Sequence, residues 1–311
     1  MIFTMQKISD IRVVATSLSV SVSDVVLNFI VAFFTGSAVM LAQGLQGLSD
    51  LITGGILFLG VRRSHRVADS DYHFGYGREV FFWVALAGIL MFFGTGGLSV
   101  YFGWQQVTSP SPVDNIWLAF TMLIIGLITN AYAFSLSLKR LRRLHGGISW
   151  WHQLLRSSVV ETKATFLIDL MGTVAAGLGF IALLAYILTA NPVFDGFGSI
   201  AIGAAMMICA SLLIRDAHDL LVGRAVSQDI TDRIITAAHS VDGIDSVLDL
   251  RTMYIGSAKI SVILEVHMPD KLITDQIELI IDRVKQVVQA SVPEVHHIQI
   301  EVETPDHELV V

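Results

Sequence analysis

The sequence predicts an all-α membrane domain of six transmembrane helices, residues 1–214, followed by a smaller α+β domain, residues 215–311. Hydrophobic residues make up 53% of the chain and charged residues only 15%. Soluble domains usually carry about 25% charged residues. The deficit lies in the first two thirds of the chain, which contain long stretches without charge, whereas the last part has an ordinary soluble composition. Composition therefore predicts both the membrane domain and the point at which it ends.

Six apolar stretches qualify as membrane spans, since crossing a bilayer takes about 20 residues of α-helix. They lie at Val13–Phe34, Ala38–Val61, Val80–Phe102, Ile116–Leu138, Thr162–Leu188 and Ile200–Ile214. Asp195 and the glycines that follow it obscure the start of the sixth. Lys7, Asp10 and Arg12 precede a first stretch that is too long for the apolar region of a secretory signal. The first span is therefore expected to stay in the mature protein.

Lysine and arginine are distributed unevenly over the short connections. The basic ones are the second-to-third and the fourth-to-fifth, which hold Arg62, Arg63, Arg66, Arg78, Lys139, Arg140, Arg142, Arg143 and Arg156. The connections at 35–37, 108–115 and 190–197 hold none. The positive-inside rule then places both termini in the cytoplasm. The expected location is the cell membrane (inner or plasma), which the protein crosses several times. A nucleic-acid-binding patch is the alternative, but the net charge of −7 argues against it.

The last part of the chain alternates between helical and strand periodicity. The predicted elements are a helix at Ile230–Ser240, strands at Ser246–Tyr254 and Lys259–His267, a helix at Asp275–Ala290 and a strand at Val295–Glu303. This order predicts a small sheet with helices on one face. The single cysteine, Cys209, excludes an intrachain disulfide and a multi-cysteine metal site.

Two carboxylates inside the apolar stretches are the main candidate functional residues. Asp50 and Asp169 each have a polar residue four positions earlier, Gln46 and Thr165 respectively. Residues four apart lie one helical turn apart on the same face. Ionisable groups inside a span are expensive and usually face the interior of a bundle, where they serve function. These four residues therefore predict an intramembrane cation site.

Four segments give the chain a resemblance to a known family. They read TGSAVMLAQGLQGLSDLITGGILFLGVRRSHRVAD through the second span, HFGYGREVFFW entering the third, NPVFDGFGSIAIG entering the sixth and LRTMYIGSAKISVILEV in the soluble part. In this order, with six spans and an α+β tail, they resemble the cation diffusion facilitators, which are transporters that exchange cytoplasmic divalent metal for protons. The resemblance covers nearly all of the chain, from Thr35 to Glu303.

The resemblance implies a homodimer with six helices per protomer and a ferredoxin-like cytoplasmic domain. It also implies that the second and fifth helices each supply two ligands, a His or Asp followed four residues later by an Asp. Those positions are Gln46 and Asp50, then Thr165 and Asp169. The aspartates match the family pattern, whereas Gln46 and Thr165 depart from it. The divalent metal is then the transported substrate, and neither a resident cofactor nor an enzymatic activity is expected.

The departure at the two first ligands changes the expected chemistry. Amide, hydroxyl and carboxylate oxygens suit Mn²⁺ or Mg²⁺ better than Zn²⁺, which favours imidazole and thiolate ligands. The sequence therefore predicts an efflux antiporter for Mn²⁺, Fe²⁺, Mg²⁺ or Zn²⁺ in which the aspartates carry the protons. One alternative is a partner or scaffold subunit that keeps the fold without transporting metal. A membrane hydrolase is the other, but the chain lacks a clustered His and acid motif of hydrolase spacing.

Several further polar residues have two interpretations. Asp24 joins the proton or metal route or pairs with a neighbouring helix, and Gln43 is an outer ligand or an interhelical hydrogen-bond partner. Asn28 and Asn130 are interpreted as helix-packing contacts. Glu161 attracts cations or is a solvated acid at a helix start. Asp69, Asp71 and His73 in the loop either bind a second metal or are ordinary surface residues. The tail residues either form a regulatory metal site across the dimer or are ordinary surface residues on strands; they are Glu265, His267, His296, His297, Glu301 and His307.

Overall fold

The computed structural model describes residues 21–144 and 160–304, and it describes side chains there outside residues 140–144 and 160–162. These residues form two compact units. The first contains residues 21–59, 83–144 and 161–216, and the second contains residues 60–82 and 217–304. The predicted features at Lys7, Asp10, Arg12 and His307 lie outside the described residues.

Six apolar helices make up the membrane part of the described chain. They are α1 (Ser21–Thr35 as described), α2 (Ala38–Ser64), α3 (Glu79–Thr108), α4 (Ile116–Leu144), α5 (Val160–Thr189) and α6 (Val193–Val222). The last five are long and apolar enough to cross a membrane. Helix α3 contains a π-helical segment at Leu90–Gly96. The predicted helical membrane domain is confirmed.

Helix α6 is longer than the sequence predicted at both ends. It begins at Val193, before Asp195, and it continues to Val222. The predicted domain boundary at residues 214 and 215 therefore falls within this helix. Asp195 does not interrupt the helix because its carboxylate is fully buried and hydrogen-bonded to the start of α2.

The turn between α1 and α2 shows how the sequence ends one helix and starts the next. Gly36 has a φ of +66°, a left-handed conformation that glycine adopts without strain. Its N–H donates to the carbonyl of Ala32 at 2.9 Å. Ser37 then accepts a hydrogen bond from the N–H of Met40 at 3.2 Å, which is the usual role of serine at a helix N-terminus.

Helices α3 and α6 pack closely through glycines. A Cβ on Gly203 would lie 2.8 Å from the carbonyl oxygen of Gly96, and one on Gly196 would lie 2.8 Å from that of Gly103. No other residue fits such a backbone approach without displacing a helix. Small residues commonly allow this close packing between membrane helices.

The C-terminal domain contains α7 (Gln228–His239), β1 (Ser246–Gly256), β2 (Lys259–His267), α8 (Thr274–Ser291) and β3 (Val295–Val302). Strand β2 lies in the centre of the sheet, antiparallel to β1 and parallel to β3. The domain therefore has the predicted order of helix, strand, strand, helix and strand. The predicted α+β class is confirmed.

The core of this domain lies between the sheet and its two helices. Alternate residues of β2 are fully buried, as the period of a strand requires. On the helices, the buried positions include Ile234 of α7 and Val284 and Val288 of α8, which follow helical spacing.

Candidate cation site

Helix α2 presents Gln46 and Asp50 on one face, one helical turn apart. Gln46 is 4% exposed and Asp50 is half-buried. The Nε2 of Gln46 donates a hydrogen bond to Oδ2 of Asp50. The amide therefore acts as a donor that holds the carboxylate in place, and the carboxylate retains acceptor capacity for a cation.

Helix α5 supplies the second predicted pair. Thr165 and Asp169 are both half-buried, and the carbonyl of Asp169 accepts a hydrogen bond from Thr173 Oγ1 at 3.0 Å. The carboxylate of Asp169 interacts electrostatically with that of Asp50. The fold thus brings together the two aspartates that lie more than a hundred residues apart in the chain, and Thr165 lies one turn along α5 from Asp169.

Helix α4 adds a residue that sequence reasoning assigned to packing. Asn130 donates from Nδ2 to the carbonyl of Gly126 at 2.8 Å, which directs its Oδ1 away from that bond. A Cβ on Gly172 of α5 would lie 2.5 Å from this Oδ1 and 3.4 Å from Nε2 of Gln46. Asn130 and Gln46 therefore flank the same point on α5.

Two further helices border Asp50. Asp24 of α1 is half-buried and interacts electrostatically with Asp50. Asn28, 7% exposed, donates from Nδ2 to the carbonyl of Asp24 at 2.9 Å. Cys209 of α6 is also within electrostatic range of Asp50, and its Sγ lies 3.9 Å from the carbonyl oxygen of Leu167. The sequence offered no indication that this cysteine borders the site.

Gln43 continues the polar face of α2 toward its N-terminus. It is buried, and within the described part of the chain its Nε2 has no hydrogen-bond partner. A Cβ on Gly179 of α5 would lie 3.2 Å from this nitrogen. The structure thus places Gln43 against α5 rather than in a hydrogen bond to another helix.

An ion pair joins the first turn of α5 to α6. Nζ of Lys163 lies 2.6 Å from Oδ1 of Asp216, and both side chains are largely buried. The side chain of Glu161, a candidate for attracting cations, lies outside the described ones.

The loop after α2 does not assemble a ligand set from Asp69, Asp71 and His73. Asp69 accepts hydrogen bonds from Tyr76 Oη at 2.7 Å and from the N–H groups of Tyr72 and Asp71. The bond from Tyr76, followed by the two backbone N–H groups and Arg66, holds the pKa of Asp69 below its usual range, despite some desolvation. The carboxylate of Asp69 is thus engaged in closing the loop.

The predicted ligands in the C-terminal domain differ in their surroundings, and Glu265 and Glu301 are register partners on the adjacent strands β2 and β3. Their bonds differ: His267 Nδ1 lies 3.1 Å from the carbonyl of Glu303, His296 Nδ1 lies 3.0 Å from that of Glu294, and Glu265 pairs with Arg251 at 3.4 Å. Among all described residues, no three His, Cys, Asp or Glu side chains are grouped to hold a metal ion.

Comparison with known proteins identifies the family. The family model for the cation efflux transmembrane domain matches residues 14–222, and the one for the cation efflux protein cytoplasmic domain matches residues 226–305. The chain belongs to the cation efflux family. This is a family of membrane transporters, and the two matches together cover the helical part and the α+β part.

Named relatives are distant in sequence. The mitochondrial proton-coupled zinc antiporter SLC30A9 of Xenopus laevis is 24% identical over 269 residues, which are 83% of this chain and 47% of that protein. Metal tolerance protein C4 of Arabidopsis thaliana is 24% identical over 79% of this chain and 54% of its own length. The cation-efflux pump FieF of Escherichia fergusonii is 23% identical, covering 84% and 82% respectively. The chain spans about half the length of the SLC30A9 relatives that it matches.

A solved structure of the MamM CTD also matches. It is 22% identical to this chain, covers 25% of it and 96% of its own length, and has a TM-score of 0.24.

Proposed function

We propose that this family member exports a divalent cation from the cytoplasm in exchange for protons, using a site formed by Gln46, Asp50, Thr165 and Asp169. The observation that carries the proposal is the proximity of Asp50 and Asp169, two half-buried carboxylates on different membrane helices. Placing two negative charges together inside a membrane is costly unless a cation or protons neutralise them. A dication neutralises both.

The donor set supports a cation that accepts oxygen ligands. Carboxylate, amide and hydroxyl oxygens suit Mn²⁺, Fe²⁺ and Mg²⁺. Zn²⁺ remains a candidate substrate because the relative SLC30A9 is named as a zinc antiporter. The cation is transported cargo, so the proposal includes neither a resident cofactor nor a chemical reaction.

Proton exchange follows from the same two carboxylates, since the site contains no histidine. A carboxylate that binds a proton loses the charge that attracts the metal, so protons and cation compete for the same oxygens. Protons entering from the outside would then release the cation there. Transport should slow as cytoplasmic pH falls and should be driven by an inward proton gradient.

The proposed assembly is a homodimer in the cell (inner or plasma) membrane with both termini in the cytoplasm. Its support is the basic composition of the α2–α3 and α4–α5 connections and the match of residues 226–305 to the cytoplasmic domain of the family. A closed two-fold dimer is the commonest arrangement for such proteins. Each protomer would carry its own cation site.

The test is uptake of each metal into inside-out vesicles containing the purified protein. We expect an acidic vesicle interior to accelerate uptake of at least one divalent cation, and a proton ionophore to remove that acceleration. Asp50→Asn and Asp169→Asn should remove this uptake. Asp114→Asn is their matched control, because Asp114 is an exposed carboxylate in the connection between α3 and α4. Uptake that is independent of both gradient and pH would contradict antiport, and absence of uptake for every metal would favour a partner subunit that does not transport.

A further inference from the structure

Asn130 lies inside the membrane part of α4, at the point where that helix faces Gln46 and α5. We infer that Asn130 supplies an oxygen ligand to the transported cation, so that the site draws on three helices. The inference rests on the proposed function and names a further residue of the same site. Its first support is the orientation of the amide: Nδ2 donates to the carbonyl of Gly126 at 2.8 Å, and Oδ1 is therefore the atom on the free side.

Gly172 shows where that oxygen points. A Cβ built on this glycine would lie 2.5 Å from Oδ1 of Asn130, closer than any real Cβ contact. Gly172 follows Asp169 by three residues, which places both on the same face of α5. The absence of a side chain at Gly172 therefore admits the Asn130 oxygen to the face of α5 that carries the Asp169 carboxylate.

Gln46 connects this oxygen to the second carboxylate. Its Nε2 would lie 3.4 Å from the same Cβ on Gly172, and it donates to Oδ2 of Asp50. In space, Asn130 thus borders Gly172, Gly172 borders Gln46, and Gln46 bonds Asp50. Asp169 is in electrostatic range of Asp50. The oxygen of Asn130 already faces this group, whereas Gln46 presents its nitrogen and must rotate its amide to offer an oxygen.

The charge of the site gives the chemical reason for a neutral ligand. Asp50 and Asp169 carry two formal charges, which balance a dication. A further carboxylate would bind the dication more tightly, but it would leave one uncompensated negative charge inside the membrane in the bound state. A carboxamide oxygen adds a ligand without charge, and it is the kind of donor that hard cations such as Mn²⁺ and Mg²⁺ accept. Asn130 therefore favours an oxygen-binding cation over Zn²⁺.

The test measures equilibrium binding of Mn²⁺ and of Zn²⁺ to the purified full-length protein in lipid nanodiscs. We expect Asn130→Leu, which keeps the branching at Cγ and removes the oxygen, to weaken Mn²⁺ binding by about 10-fold and Zn²⁺ binding by less. This is the low end of the effect seen when residues supporting metal ligands are removed. We expect Asn130→Asp to act in the opposite direction and tighten Mn²⁺ binding, because the new carboxylate contacts the cation. Gly172→Ala should weaken binding as Asn130→Leu does, since the methyl group displaces the oxygen.

Thr129→Val is the matched control. Thr129 is the preceding residue of α4, it is exposed, and its Oγ1 also bonds a carbonyl one turn earlier, that of Ile125 at 3.1 Å. We expect binding within twofold of the unmodified protein. A packing role for Asn130 would instead lower the melting temperature and change Mn²⁺ and Zn²⁺ binding equally.

The outcomes separate this inference from the proposed function. If Asp50→Asn abolishes binding while Asn130→Leu and Asn130→Asp both bind Mn²⁺ within twofold of the unmodified protein, the inference is wrong and the proposed site stands. If the unmodified protein binds Mn²⁺ and Zn²⁺ no better than Asp50→Asn, the proposed site itself is wrong. If Asn130→Leu does not fold, the opposite effects of Asn130→Asp and Gly172→Ala decide the question.

Discussion

Two carboxylates associated with helix α2 differ in how far the protein satisfies their hydrogen-bonding capacity. Asp195 lies at the N-terminus of α2, and Asp50 lies in its middle. Asp195 of α6 is fully buried, and it accepts hydrogen bonds from Ser37 Oγ at 2.6 Å, from the N–H of Ala38 at 2.7 Å and from the N–H of Val39 at 3.1 Å. The two N–H groups are unpaired backbone donors of a helix N-terminus, which a negative charge stabilises. The acceptor capacity of Asp195 is used by the fold.

Asp50 is less buried and yet less satisfied. It receives a hydrogen bond from Gln46 and interacts electrostatically with two other carboxylates, Asp169 and Asp24. Burial alone therefore does not separate a carboxylate that the fold uses from one that is available to a ligand. The distinguishing property is whether the protein supplies the positive partners or leaves them to a ligand.

The largest expected effect comes from removing charge at the candidate cation site. Asp50→Asn or Asp169→Asn should each reduce cation transport in proteoliposomes to the background of empty vesicles, because a desolvated dication loses half of its compensating charge. Thermal stability should be unchanged or higher, since repulsion between the carboxylates is relieved. Substantial transport by both variants would show that the cation takes another route.

The second prediction concerns the satisfied carboxylate. Asp195→Asn replaces an acceptor oxygen by an N–H₂ group that faces the N–H donors of α2. Loss of buried charge-assisted hydrogen bonds costs about 1–3 kcal/mol, so the melting temperature of the purified protein should fall. Cation affinity of the folded fraction should stay within twofold. Unchanged stability together with lost cation binding would contradict the distinction drawn between Asp195 and Asp50.

The contrast between these carboxylates also explains what the sequence could predict. The four-residue spacing of Gln46 and Asp50 corresponds to one helical turn, which is a local property of the sequence. The structure shows a hydrogen bond between the two side chains. The strands of the C-terminal domain were predicted almost to the residue, because alternation along a strand is local as well. The role of Asp195 depends on the N–H groups of a helix far earlier in the chain. Residue spacing within one helix carries no information about such a partner.

The partner of Asn130 could not be predicted for the same reason, and the sequence identified this residue only as a helix-packing contact. Its environment depends on Gly172, a glycine on another helix whose spacing to Asn130 has no meaning in the sequence. For Asp69, the sequence left metal binding and ordinary surface exposure both open. The structure instead shows three donors to its carboxylate, and these depend on the conformation of the loop. Pairings between elements, and loop geometry, were therefore the parts that required the structure.

A third prediction tests the donor set at the candidate cation site. Gln46→His replaces an amide by an imidazole, which Zn²⁺ favours over amide oxygen. Selectivity for Zn²⁺ over Mn²⁺, measured as the ratio of their transport rates at equal concentration, should rise by about 10-fold, a size typical of changes in ligand environment. Thr173→Val on α5 serves as the control, because Thr173 bonds only the backbone carbonyl of Asp169. An unchanged ratio would place Gln46 outside the cation's ligands.

The smallest effect concerns Asp69, a carboxylate outside the spans whose partners are again supplied by the protein. The hydrogen bond from Tyr76 is the main reason that the pKa of Asp69 lies below its usual range, and the same bond raises the pKa of Tyr76. A carboxyl group whose pKa is lowered by folding stabilises the folded loop above the unfolded pKa, which is about 3.9. That contribution is lost as pH falls through the lowered value.

Tyr76→Phe removes this bond and leaves the two backbone donors. The pKa of Asp69 should then rise toward its ordinary value, so that the loop opens at a higher pH than in the unmodified protein. Hydrogen exchange of the amides of residues 69–76 across the acidic range measures that opening. Tyr72→Phe is the control, because Tyr72 contributes its backbone N–H, not its hydroxyl, to Asp69. Since the contact is exposed to solvent, transport at neutral pH should stay unchanged, and identical exchange profiles for both variants would show that Tyr76 does not hold the loop.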